Sequence, residues 1–324
     1  MMTDIRQSAT YRGRRLFLRR AAILGAGLLV PSVVLGKSDP LFDDGPDDLT
    51  GPLSRFAKEI ASKAKSMLKP GRYAQELYEE FQKGDDEARL KLYALAESGD
   101  AYARTTIGWM FDNGVGARKS SFKAASYFQL AAPEVQLARY NLGVLLLHGR
   151  GVAQNVAKAM EYFGEAPRIA PAMVQLARYA LQEGKGNTAL HFAEKAARMH
   201  DPMGMYLQAR LLLEKGEERQ GAMIMRRAAT ADVPDAITSM VVVYEKGLGV
   251  TKDAGLAAGW WIVDQVLIQG HTLEESEAAI ERFNLSKADK NQAIRFARKW
   301  LLKRVAAQQF DYTKTLNFLD VRRI

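Results

Sequence analysis

The side chains best suited to recognition chemistry in this chain are arginines and tyrosines that return in similar settings. Arg104, Arg139 and Arg178 each follow an Ala, and Tyr140 and Tyr179 come directly after the last two. A guanidinium fork bonds a carboxylate in pairs, and tyrosine adds flat amphipathic contact area, so such a ladder suits an extended or acidic peptide. The same residues also suit any exposed helix that covers its own apolar surface. Catalytic chemistry is poorly supplied. With no cysteine there is no disulfide, thiol nucleophile or Cys-ligated metal. His148, His191, His200 and His271 form no pair on one helical face, and no metal or general-base role is expected of them. No nucleophile elbow, phosphate loop or dinucleotide fingerprint is present. Paired acids such as Glu79-Glu80 and Glu274-Glu275 are adjacent in sequence and so diverge on a helix. The expectation is therefore no catalytic residue, no metal and no cofactor.

These candidate residues sit in a chain that repeats itself. Ala103 to Gly108 returns as Ala138 to Gly143, Gly114 and Gly116 as Gly149 and Gly151, Lys123-Ala124 as Lys158-Ala159, and Tyr127-Phe128 as Tyr162-Phe163. The common step, 35 residues in the numbering, marks helical hairpins that bury a continuous core only by stacking on their neighbours. Gly108 and Gly143, in the middle of a helix at a cost of about 1 kcal/mol, imply a close-packed second helix. Gly114/Gly116, Gly149/Gly151 and Gly247/Gly249 read as left-handed turns between helices, not as nucleotide loops.

The pattern resembles the Sel1-like repeat, a relative of the tetratricopeptide repeat. Ala103 to Ala132 and Ala138 to Ala166 match its unit, and the last clear copy runs through Ala236, Met240, Tyr244, Gly247, Gly249, Val250, Asp253, Ala257, Trp260 and Trp261. Two degenerate copies lie between. In the first, Leu176-Ala177-Arg178-Tyr179 echoes Leu137-Ala138-Arg139-Tyr140, which places Arg178 and Tyr179 as equivalents of Arg139 and Tyr140. The resemblance implies an all-α, right-handed superhelical solenoid of Sel1-like hairpins with helical caps, whose first helices line a concave face. It also implies an adaptor that binds a protein partner on that face.

The N-terminus reads as an address. Residues 1–20 are Arg-rich, 21–35 are apolar, and Val34-Leu35-Gly36 offers cleavage spacing after Gly36. Arg14, Arg15, Phe17 and Leu18 resemble the twin-arginine export motif. An ordinary secretory leader or an uncleaved anchor is the alternative. Residues 37–52 form an acidic Pro/Gly linker, and 53–72 an amphipathic capping helix on Leu53, Phe56, Ile60, Ala64 and Met67. Repeats are expected over 73–268 and a C-terminal helical cap over 269–324, with Ser286 as the N-cap of its second helix.

The net charge of +9 is concentrated in the leader, whose six Arg face only Asp4, leaving 40 basic and 36 acidic residues elsewhere. That balance does not support nucleic-acid binding. The reading is a periplasmic interaction scaffold of the bacterial envelope, without enzymatic activity. Two alternatives stand beside it. One is a cell-wall enzyme acting on peptidoglycan or β-lactams, and the other a membrane-surface tether using residues 53–68 and the basic row Arg295, Lys299 and Lys303.

Overall fold

The computed structural model describes residues 71–310, and the leader, the acidic linker and most of the 53–72 segment lie outside them. Among the described residues there is no strand. They divide into two compact units at Ala196/Ala197, each considered by itself.

The first unit contains α1 (Arg72–Gln82), α2 (Asp86–Glu97), α3 (Ala101–Asn113), α4 (Ser121–Ala131), α5 (Gln136–His148), α6 (Val156–Gly164), α7 (Ala170–Gln182) and α8 (Gly186–Arg198), whose last two residues fall past the division. Consecutive helices from α1 to α7 pack as antiparallel neighbours. Their starts are written in side chains that accept otherwise orphaned backbone N–H groups. Asp85 caps α2, Asp100 caps α3, Ser120 caps α4 and Asn155 caps α6. Helices α3 and α5 end at Gly114 and Gly149, whose left-handed φ of 73° and 65° lets the chain turn sharply.

Small residues set the distance between the two helices of a hairpin. Ala103, Ala124, Ala138 and Ala159 are fully buried, so the helix backbones approach closely. Phe128 and Phe163, at 1% and 0% exposure, fill what remains, each lying against the mid-helix glycine of its partner. A Cβ on Gly108 would stand 2.7 Å from the Phe128 ring, and one on Gly143 would stand 2.7 Å from Phe163.

The second loop glycine does a different job, because it joins one hairpin to the one before it. A Cβ on Gly151 would lie 2.2 Å from the Ser121 carbonyl carbon at the start of α4, and one on Gly116 would strike the Phe81 ring at 2.5 Å. Arg89 reinforces the latter contact by donating to the Gly116 carbonyl oxygen at 2.9 Å. At the Gly151 junction Arg150 crosses to Asp112 at 3.1 and 3.3 Å, and Asp112 also accepts from Ser121.

The second unit contains α9 (Pro202–Glu214), α10 (Glu218–Thr230), α11 (Pro234–Lys246) and α12 (Ala254–Asp264), followed by a π-helical turn over Gln265–Gln269. It closes with α13 (Leu273–Ala279), a 3₁₀ turn over Ile280–Phe283, and the long α14 (Lys287–Phe310). Asp201 and Asp253 cap α9 and α12, and Thr272 with Glu275 forms a capping box at α13. Ser286 accepts from the Asp289 N–H at the start of α14. Helix α14 packs on α12 through Trp260, whose ring meets Phe296 at 5.2 Å and Trp300 at 5.7 Å. Gly255 and Gly259 permit this approach, because a Cβ there would meet Gln292 and Phe296 at 2.9 and 2.7 Å.

Candidate protein-binding face

Two of the three arginines hold the hairpins together. Arg104 Nε donates at 3.0 Å to the carbonyl of Ala96, in the last turn of α2. Arg139 donates to the carbonyls of Pro133, at 2.6 Å, and Glu165, at 3.2 Å, each just beyond a helix end. Its Nε also lies 3.6 Å from the Glu165 carboxylate. Both guanidiniums therefore bond carbonyls at or just beyond helix C-termini, where intrahelical donors run out. Tyr140 is half-buried, with its ring tilted on Phe163 at 5.8 Å.

Arg178 and Tyr179 do not occupy the places of Arg139 and Tyr140. Helices α3, α5 and α7 are each 13 residues long and open at Ala101, Gln136 and Ala170. In that register Ala172 matches Ala103 and Ala138, and all three are at 0% exposure. Leu176-Ala177-Arg178-Tyr179 then lies five residues later in its helix than its echo, a rotation of about 140°. The residue at the Arg139 position is Met173, buried at 1%. The matching letters reflect two different faces of a helix.

The corrected register reveals an accessible stripe. Positions 2, 6, 9 and 13 of a first helix fall within one narrow sector, about a quarter turn from the buried alanines. On α3 this stripe carries Tyr102, Trp109 and Asn113. On α5 it carries Leu137, Asn141, Val144 and His148, and on α7 Pro171, Gln175, Arg178 and Gln182. Each of these is half-buried or exposed, and only Thr106 on α3 is buried. Trp109 stands edge-on to Tyr78 of α1 at 5.9 Å, and burial pushes the Tyr78 phenol up to about 12, so it is neutral here. The Asn141 amide nitrogen is shielded from solvent and has no hydrogen-bond partner among the described residues. From α3 to α7 the stripe thus passes from aromatic to aliphatic to cationic. The 3.6-residue phase, counted from Ala103, Ala138 and Ala172, was the signal that could have found Trp109, Asn141 and Val144.

One polar cluster in the second unit was also missed. Asp264 takes the place of the small residue seen at Ala131 and is 6% exposed. Thr238 donates to it at 2.5 Å and Gln265 at 3.2 Å, and burial raises its pKa despite these donors and Gln269. Its signal was the loss of the Ala-Ala ending, which became Asp264-Gln265. Among the described residues no group of three or more His, Asp or Glu is placed to hold a metal ion.

The description "Sel1 repeat" fits residues 101–132, 136–166, 170–201 and 242–262, and its third segment opens at Ala170, in the register just derived. No curated protein sequence matches the chain. Among solved structures, it is similar to c5321, a protective antigen present in uropathogenic Escherichia coli strains displaying an SLR fold. That similarity has a TM-score of 0.64 and 22% identity over 76% of this chain and 56% of that one, so the chain spans little more than half of its neighbour. A Sel1 repeat protein from Oxalobacter formigenes is similar with a TM-score of 0.57 and 21% identity, over 72% of this chain and 96% of that one. These likenesses agree with the packed hairpins in showing an all-α Sel1 solenoid fold. With its repeated loops, small-residue contacts and matched segments together, the chain carries Sel1 repeats within residues 101–262.

Proposed function

We propose that the protein is a non-catalytic scaffold of the bacterial cell envelope that holds a protein partner on the stripe of α3, α5 and α7. Sel1-repeat proteins are generally protein-interaction scaffolds. The observation that carries the face is the row Trp109, Val144 and Arg178, half-exposed at its first two members and exposed at the last. Aromatic and aliphatic area beside a terminal guanidinium is what an extended peptide with an acidic group would use. Export is supported by the Arg14-Arg15 leader, with cleavage after Gly36 and a periplasmic destination.

Photo-crosslinking in the cell tests the face. A probe at Val144 should capture a partner that a probe at Gln129, exposed on α4, does not. Equal capture at both positions would discard it. Export is tested separately by replacing Arg14 and Arg15 with Lys, which should leave the precursor uncleaved inside the cell if the twin-arginine route is used.

A further inference from the structure

Helix α14 presents a row of cations that no acid among the described residues of its unit neutralises. Arg295, Lys299 and Lys303 are exposed and recur every four residues, covering one sector over about 12 Å of helix. Three acids beside this helix are engaged with other groups, and Glu274 acts on Arg298. Glu277 holds Arg298 through two hydrogen bonds of 2.6 and 2.7 Å, and Glu281 pairs with Lys290. Asp289 accepts from Ser286 at the helix start. The opposite side of α14 is buried at Ala293 and Ala297, with Phe296 and Trp300 packing on Trp260 of α12 along one flank, so the row faces outward. Within the sector stands Leu302, with 68% of its surface exposed.

We propose that this face of α14 docks on an anionic lipid surface, with Arg295, Lys299 and Lys303 meeting headgroups and Leu302 entering the interfacial layer. Charge complementarity selects an anionic partner. The exposed leucine among evenly spaced cations selects lipid over a soluble polyanion, because an interfacial helix uses both features and a polyanion only the first. The inference does not depend on the protein-binding stripe, which lies in the other unit.

The chain contains no cysteine, so a single Leu302→Cys in the full-length protein can carry a polarity-sensitive fluorophore, with Met223→Cys on α10 as the reference site. With vesicles containing roughly one-third anionic lipid, the probe at 302 should shift to the blue while that at 223 does not. The shift should fade with added salt, as screening predicts. Each cation near such a surface is worth roughly fivefold in partitioning, so Arg295→Glu, Lys299→Glu and Lys303→Glu together should weaken the response by at least about 100-fold. An equal loss of charge through Lys215→Glu, Lys246→Glu and Lys252→Glu should have little effect. The proposal is overturned by no shift at 302, by an equal shift on zwitterionic vesicles, by persistence in the first triple variant, or by a response to soluble polyanion but not to vesicles.

Discussion

The ring of Phe163 lies so close over Gly143 that a single methyl group on that glycine would stand 2.7 Å from it. The contact joins the two helices of one hairpin, and the Gly108–Phe128 pair repeats it. Gly143→Ala should therefore destabilise the protein by about 1–3 kcal/mol through overpacking, although alanine favours a helix by about 1 kcal/mol. Gly164, at the end of α6, has nothing within 4 Å of an added Cβ, so the same change there should be neutral or stabilising. Thermal melts should fall for the first variant and hold or rise for the second, and Phe163→Leu should partly rescue the first.

Turn glycines separate in the same way. Gly151 and Gly184 both have positive φ, 69° and 71°. Alanine at Gly184 meets open space and should cost only the left-handed backbone term of about 1–2 kcal/mol. Alanine at Gly151 adds a backbone collision with Ser121 and should cost distinctly more. Chemical denaturation read by circular dichroism would rank them, and an equal loss would refute the junction.

The arginines should part company by assay. Arg139→Ala should cost about 1 kcal/mol of stability, since its donors to Pro133 and Glu165 are partly exposed. Arg139→Lys should recover only part, because an ammonium lacks the fork. Arg178→Glu should change stability by less than about 0.5 kcal/mol while reducing capture from position 144.

Asp264 makes stability depend on pH in an unusual direction. Its folded pKa is raised by burial, so the folded state holds the proton more tightly than the unfolded chain. Its contribution is complete below the ordinary carboxylate value of 3.8 and is lost as pH rises through the folded pKa. Protonated, the acid can donate to Thr238, freeing that hydroxyl for the Pro234 carbonyl 3.2 Å away. Asp264→Asn should therefore gain in Tm relative to the parent as pH is raised from 4 to 7. A difference that stays flat, or shrinks, would contradict the assignment.

Fold and site were legible to different depths. Ser120, Asn155 and Asp253 announce helix starts, and Gly114, Gly149 and Gly247 announce ends, because capping and left-handed turns are local chemistry carried by residue type. The face of α7 was misread because four identical letters outweighed helical phase, which only the buried Ala172 fixes. The carbonyls that occupy Arg104 and Arg139 come from neighbouring helix ends and a turn, a relationship set by packing and invisible to spacing. The π-helical turn after Asp264 likewise depends on how α12 joins α13, which no local residue type announces.

Because Gly151 fits against Ser121 and Gly249 against Glu218, each of these inter-helix bends is moulded by the helix start some 30 residues earlier. A fragment cut at an arbitrary point would leave one such bend without its mould. The array can therefore be lengthened or shortened only in whole modules, and grafted copies should fold when spliced in phase and fail when displaced by even a few residues.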